Sequence, residues 1–252
     1  MKLSVIIPVN NEEGCIEQTV IQIIKELTES NVKHEIIVIN DNSIDGTNTI
    51  LLKLQRSYPG VIYVNNDNEK GFGLAVRKGL DYYTGDAIAI FMGDSSDSPS
   101  DIVKYYRKLE EGYDCVFGSR FIKGSKIYDY PLFKLILNRL ANNLIKILFG
   151  IKHNDITNAF KCYRKEVIDG IRPIISNHFN LTVELPLKSI IRGYTYATVP
   201  ISWYGRTKGV SKLKIKEMGS RYLFIVLYLY LEKYLSRGDY IKKSVVQGEE
   251  NS

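Results

Sequence analysis

Leu3-Ser4-Val5-Ile6-Ile7-Pro8-Val9 runs straight into Asn10-Asn11-Glu12-Glu13, and the reading of this junction decides the fold. The apolar, β-branched run has the length and composition of a buried strand. The polar run that ends it carries no Gly-x-Gly-x-x-Gly, which excludes a dinucleotide-binding oxidoreductase. It also lacks the glycine-rich loop of a nucleotidyltransferase. Similar apolar runs recur at 35–39, 61–64, 87–92 and 115–117, and helical spacing fills the intervals. Ile16, Val20, Ile23, Ile24 and Leu27 line one helical face, and Ile50, Leu51 and Leu54 make a shorter stripe. Ser98-Pro99 followed by Asp101 reads as a helix start, with an N-cap, a first-turn proline and an acid behind it. Strands alternating with helices predict an α/β fold around a mostly parallel sheet flanked by helices.

From Pro131 the pattern changes. Leu132–Phe149 is a long apolar helix candidate carrying Lys134, Arg139 and Lys146. A strand near 196–201, a Tyr-rich helix over 221–235 and a polar end at 247–252 follow. The expected organisation is an α/β core over 1–165, a C-terminal helical appendage on the acceptor side over 166–240, and a polar tail over 241–252. The longest apolar run, 222–231, would rise about 15 Å as a helix, about half of a bilayer core, so no span is expected. Residues 1–9 are too short an apolar stretch for a signal peptide.

Composition narrows the partners. A hydrophobic share of 44% and a charged share of 25% are those of an ordinary globular protein. The net charge of +6 suits phosphates and acidic membrane surfaces. No nucleic-acid-binding motif accompanies it, so no nucleic acid is expected. Cys15, Cys115 and Cys162 are far apart and odd in number, which reads as reduced thiols in a cytosolic compartment.

Ligands of open α/β sheets bind beyond the carboxyl ends of the strands. Every unusual polar cluster here follows a predicted strand: Asn10–Glu13 by number 10–13, then 40–47, 65–73, 93–97 and 118–120. Five clusters on one edge point to a shared site. Any one alone would read as turn chemistry, since Asn, Asp, Gly and Ser are what turns use.

At these clusters the sequence resembles a known family. Pro8-Val9-Asn10-Asn11-Glu12 resembles the Pro-x-Tyr-Asn-Glu pattern of family-2 glycosyltransferases. Asp41-Asn42-Ser43-Ile44-Asp45-Gly46-Thr47 is similar to a run in dolichol- and polyprenyl-phosphate mannose (glucose) synthases. Gly118-Ser119-Arg120-Phe121, the stretch 155–161 and Arg206-x-x-Gly209-x-Ser211-Lys212-Leu213 continue the match in the family's order. The resemblance implies a GT-A, Rossmann-like fold and an inverting, metal-dependent hexosyltransferase that uses a nucleoside-diphosphate sugar. Pro8, Val9, Asn10 and Glu12 would line the nucleotide base, Asp41 would hold the base or ribose, and Lys70 and Gly71 would close over the nucleotide. Asp94 is the metal candidate, for Mg²⁺ or Mn²⁺ bridging the diphosphate to a carboxylate. The family's Asp-x-Asp is here Met92-Gly93-Asp94, so the second ligand falls to Asp97, Ser96 or water. Asp97 also reads as a cap for the helix at Pro99. Glu13 reads as helix-start electrostatics.

The acceptor is where the readings divide. The resemblance places Arg120, Arg139, Arg206 and Lys212 against donor and acceptor phosphates, which Arg and Lys suit by fork and point charge. A phosphate is ionised near neutral pH and attacks without a base, whereas a sugar hydroxyl needs a carboxylate to take its proton. Asp155 is the catalytic candidate for that role, beside Asp94 and Arg120, and Glu184 reads as a positioning residue. The expected acceptor is a polyprenyl (dolichyl) phosphate. The alternative is a sugar hydroxyl in surface polysaccharide or glycan assembly. A third reading, a nucleotide-sugar-binding partner without turnover, is opened by Met92. A lipid-directed enzyme of this length is expected to be cytoplasmic and peripheral at the cytosolic face of a membrane. The helices near 130–149 and 222–234 read either as lying at a membrane interface or as packing on the sheet or on a second subunit, as in a homodimer; in the latter case a membrane-anchoring partner would hold the enzyme at the surface.

Overall fold

Side chains along β1 (Lys2–Val9) alternate between two apolar layers, which is why its sequence shows no polar alternation. Leu3, Val5, Ile7 and Val9 face a layer built from α1 (Ile16–Glu29), α2 (Thr47–Ser57) and α4 (Pro99–Glu110). Ile6 faces the other layer, with α3 (Phe72–Gly79), α6 (Lys165–Gly170) and α7 (Leu181–Ile191). Each fully buried aliphatic side chain contributes about 1.5–3 kcal/mol, so the two layers fix which face each helix takes. This computed structural model describes residues 1–67, 69–205 and 215–242.

The remaining strands are β2 (Lys33–Asn40), β3 (Val61–Asn65), β4 (Ala87–Ile90), β5 (Cys115–Ser119), β6 (Lys126–Tyr128), β7 (Lys161–Arg164), β8 (Tyr196–Pro200) and β9 (Ser202–Tyr204). Seven of the described strands form one sheet in the order β3-β2-β1-β4-β7-β5-β8, and β6 pairs with β9 beside it. In that sheet β7 alone is antiparallel to its neighbours β4 and β5; the other six run the same way. The architecture is the expected mostly parallel, GT-A-like sheet. Pro8 is tolerated in a central strand because Ile6 O takes the last β4-side bond, from Phe91 N at 3.0 Å. Two residues on, Pro8 faces the same side past the end of β4, where no donor is needed.

The sheet does not end at residue 165: β8 pairs in parallel with β5 and forms its edge. Helices α5 (Leu132–Phe149) and α8 (Ile215–Leu235) stack on α7 through a third cluster that includes Ile145, Phe149, Val183, Leu187, Ile225 and Leu229. No described helix is long and apolar enough to cross a membrane.

Candidate active site at the carboxyl edge of the sheet

Because β1 to β5 all point one way, apart from the later insertion of β7, the loops after them meet on one edge. At the β2 side that edge is a hydrogen-bonded frame. Asp41 N donates to Val9 O at 2.7 Å and Asn66 N donates to Asn40 O at 2.9 Å, extending the sheet by one rung. Asn10 Nδ2 donates to Asp41 O at 2.6 Å and Asn42 O at 3.2 Å. The Asp41 carboxylate accepts from Asn66 Nδ2 at 2.8 Å and from Gly71 N at 3.1 and 3.2 Å. Asn11 and Asn42 sit at φ of 53° and 57°, in the left-handed region that asparagine tolerates. This folds the loop after β1 onto the loop after β2: Asn11 N donates to Ser43 Oγ, and Ile44 N to Asn11 Oδ1. Glu12 is buried, with its backbone N–H on Thr47 Oγ1. Glu13 takes Gly46 N at 2.6 Å, so its charge sits at the start of α2 rather than of α1. Lys70 is exposed at the rim.

Two glycines let the edge close. A Cβ on Gly71 would lie 2.4 Å from Asn177 O, and one on Gly73 2.3 Å from Ser176 O. The 175–178 segment presses there because Glu184, fully buried, accepts from Ile175 N at 2.9 Å and Ser176 N at 2.7 Å. Lys188 neutralises Glu184 at 2.8 Å, and Phe72 stacks on Phe179 with ring centroids 4.5 Å apart. Glu184 thus holds the segment that holds the Gly71 turn, whose N–H orients Asp41.

Beyond β4 lie Asp94, half-buried, and Asp97, buried. Asp94 Oδ1 accepts from Ser96 N at 3.1 Å. Asp97 does not cap α4, whose N-cap is Ser98. Its Oδ2 is buried with no hydrogen-bond partner. Burial and the neighbouring Asp94 charge push its carboxyl up to about 8, against the opposing pull of Arg120. A buried carboxylate oxygen with an acid beside it is the donor set a hard divalent cation takes. Among the described residues no three His, Cys, Asp or Glu side chains cluster for a metal. The pair fits a cation only if other oxygens, such as those of a diphosphate, complete its shell.

The other end of the edge is built on the antiparallel strand. β7 runs against the others, so the loop before it, not after it, reaches the site edge. That loop delivers Asp155. Arg120 closes on it with Nε at 2.8 Å, Nη2 at 2.7 Å and its backbone N at 2.9 Å. Burial would raise the Asp155 carboxyl, but the charge and hydrogen bonds of Arg120 outweigh this and hold it below the usual range. Arg120 Nη1 points to Tyr130 Oη at 3.4 Å. Arg120 and Arg139 share the Phe121 ring, at 5.4 and 4.4 Å from its centroid, and Arg139 Nη1 donates to Asn154 O. Lys161, buried, ties the loop down through Ile156 O, Asn158 O and Thr182 O.

The structure therefore brings together Pro8, Val9, Asn10, Glu12, Asp41 and Gly71 at one end of the edge, and Asp94, Asp97, Arg120, Arg139 and Asp155 at the other. Arg206 and Lys212 lie outside the described residues. Sequence reasoning missed Asn66, Phe121 and Lys161 as site-builders. Asn66 stood in the cluster after β3, Lys161 in the matched 155–161 stretch and Phe121 in the matched 118–121 run.

The Glycosyl transferase family 2 profile matches residues 4–172. A polyprenol monophosphomannose synthase of Mycolicibacterium smegmatis is 29% identical over 184 residues, 71% of this chain and 69% of that protein. A dolichol-phosphate mannosyltransferase of Pyrococcus furiosus is 32% identical over 221 residues, 86% of this chain but 60% of that protein. Among solved structures, glucosyl-3-phosphoglycerate synthase from Mycobacterium tuberculosis is similar in fold. Its complex with Mn²⁺, UDP-glucose and phosphoglyceric acid superposes with a TM-score of 0.69 at 17% identity, over 96% of this chain and 81% of that one. The same enzyme is also known with Mg²⁺ and UDP.

Proposed function

The chain belongs to glycosyl transferase family 2, and from that membership we propose that it transfers a hexose from a nucleoside-diphosphate sugar to a polyprenyl phosphate. The observation that carries the acceptor is the state of Asp155. A hydroxyl acceptor needs a carboxylate able to take its proton. Asp155, the carboxylate that the sequence offers for that role, is instead bound by three donors from Arg120 and held below its usual range. The groups beside it are cationic: the buried Arg120, whose Nη1 donates to Tyr130 Oη, and the half-buried Arg139 guanidinium over the Phe121 ring. Arg206 and Lys212 join them by motif.

In this reading Asn10, Glu12 and Asp41 hold the nucleoside and Lys70 meets the nucleotide at the rim. Arg120 and Arg139 bind the acceptor phosphate and orient one of its oxygens to the anomeric carbon. That oxygen forms the new C1–O bond as the bond from C1 to the diphosphate oxygen breaks, its electron pair leaving with the nucleoside diphosphate. The configuration inverts and no enzymic proton moves. Asp94 and Asp97 would hold Mg²⁺ or Mn²⁺, which neutralises charge on the diphosphate when bound. Both ions occur with UDP in solved structures of the same fold. In this reading the enzyme works at a membrane surface, on the cytosolic face where its three free cysteines would stay reduced.

The test is product analysis. The protein is incubated with a panel of labelled sugar nucleotides, Mn²⁺ and a polyprenyl phosphate in membrane extract. A labelled lipid cleaved by mild acid supports the proposal. An acid-stable glycoside as the only product overturns it.

A further inference from the structure

The chain has one tryptophan, and it stands off the core. Trp203 is half-buried and belongs to none of the three apolar clusters of the described residues. It is the middle residue of β9, which pairs in parallel with β6 so that Trp203 sits level with Ile127 and Tyr204 level with Tyr128. Successive side chains of a strand point to opposite faces. One face of this ribbon carries the exposed stack of Tyr128 on Tyr204, with ring centroids 5.0 Å apart. The other turns Trp203 onto Tyr130, with centroids 4.7 Å apart and the planes at 47°. A half-buried aromatic ring alone is ordinary, so its position decides what it does.

Two sets of contacts give that position. On one side β9 is bonded to the loop of the acid pair: Trp203 forms a β-bridge with Asp97, and Tyr204 N donates to Ser96 O at 2.9 Å. On the other, Tyr130 links the indole to Arg120, whose Nη1 donates to Tyr130 Oη at 3.4 Å and whose guanidinium lies 5.5 Å from the Tyr130 ring centroid. Trp203 thus stands between the acids read as holding the donor diphosphate and the arginine read as holding the acceptor phosphate. A sugar passed from one phosphate to the other must lie between them. The strand is also braced. Fully buried Asp101 accepts from Ser202 N at 2.8 Å, and Gly205 N donates to Tyr128 O at 2.9 Å. A ring on so fixed a backbone loses little freedom when a ligand arrives.

We propose that Trp203 is the platform for the transferred hexose, its indole taking the C–H face of the pyranose. A sugar ring is polar at its rim and carries C–H groups across its faces, and these meet the negative face of an aromatic quadrupole. The charged groups on either side suit phosphates, and the indole is an apolar surface between them. Trp203 would therefore help decide which hexose is accepted, since an axial hydroxyl on the stacked face lifts the sugar off the ring. This deepens the transfer reading and rests on its donor half alone.

The sole tryptophan is its own probe. With Mn²⁺ present, a panel of sugar nucleotides is titrated into the full chain, each beside its own nucleoside diphosphate, and tryptophan emission is read. Emission should shift with the sugar nucleotide and not with the diphosphate alone. Trp203→Ala should raise the KM for the sugar nucleotide about tenfold or more, while affinity for the free diphosphate changes less than about twofold. Trp203→Phe, which keeps a ring, should recover most of the loss, and Tyr204→Ala on the opposite face should leave the KM at the parent value. An equal emission response to diphosphate and sugar nucleotide overturns the proposal. So does an equal loss of affinity for both in Trp203→Ala, which would make the residue structural. Emission that answers only to a polyprenyl phosphate assigns the ring to the acceptor and also overturns it. A sugar-dependent emission change without any glycolipid product would leave Trp203 standing and sink the acceptor reading instead; a glycolipid formed by Trp203→Ala with an unchanged KM would do the reverse.

Discussion

Asp155→Asn separates a base from a brace. The Asp155 side chain is fully buried and satisfies three Arg120 donors at 2.7–2.9 Å. Asparagine keeps one acceptor oxygen and turns an NH2 toward a donor, so the Arg120 charge is left buried without its partner. Breaking a buried pair from one side costs about 3–5 kcal/mol, a large part of a typical total of about 5–15 kcal/mol. At about 2–4 °C per kcal/mol for a chain of this size, the melting temperature should fall by about 6–20 °C. The sign with pH follows from the depressed folded pKa. The stabilisation is fully present above the unfolded value of about 3.9 and is lost as pH falls through the folded one. The gap between parent and variant should therefore be constant at and above pH 5, within about 0.5 kcal/mol, and close in acid. Thermal scans across pH, with nucleoside-diphosphate titrations beside them, read this out. Turnover should drop through misplacement of Arg120, while nucleotide affinity changes less than about twofold, a few tenths of a kcal/mol. An unchanged melting temperature, total loss of turnover and an acidic limb in the parent's rate profile would make Asp155 the base and refute the reasoning.

Three further outcomes follow from the same edge. Asp94→Asn, or excess chelator on the parent, should lower turnover by about a hundredfold or more, since an uncompensated diphosphate is a poor leaving group; full activity in chelator would contradict this. Asp97→Asn should stabilise the metal-free protein, because a carboxyl pushed up to about 8 loses stability as pH rises between its unfolded and folded values. The gain over the parent should grow by up to about 1.4 kcal/mol per pH unit from pH 5 to 8, and the variant's Mn²⁺-induced rise in melting temperature should shrink; a gain independent of pH would count against an Asp97 carboxyl raised by burial. Gly73→Ala sets a methyl against three backbone atoms of 176–178, at 2.3, 2.7 and 2.9 Å. It should cost about 1–3 kcal/mol and raise the KM for the donor without raising that for the acceptor; equal shifts in both would argue that the turn does not serve the nucleotide.

The Asp41 end of the edge was legible because parallel strands follow a single rule. Each strand hands its polar loop to the same edge, so Asn10, Asp41, Gly71 and Asp94 could be grouped from their positions after apolar runs. Asn66 was within that grouping but silent, since only the extra rung between Asn66 N and Asn40 O fixes its side chain on Asp41. Helices with strong stripes were equally plain: Leu132–Phe149 has the bounds that its sequence shows. The short strands β6 and β9, three residues each, carried no period to read.

What sequence order could not supply is the reversal at β7. A four-residue run, Lys161–Arg164, has no mark of direction, and it lies 46 residues after Cys115 in a stretch without strand–helix rhythm. Placed between β4 and β5 and turned against both, it exchanges the usual order of strand and functional loop. Asp155 and Asn158 then reach the edge from before their strand, and Lys161, at the strand's first residue, fastens them there by backbone carbonyls. The reversal also explains why the Arg120–Asp155 end is made of long charged side chains rather than backbone rungs. The antiparallel strand interrupts the row of parallel strand ends, so no peptide frame like that around Asp41 can continue across it. Arg120 spans the interruption, leaving β5 and closing on the loop before β7. The frame around Asp41 is thus fixed by the sheet, and the Asp155 end of the edge by one buried ion pair.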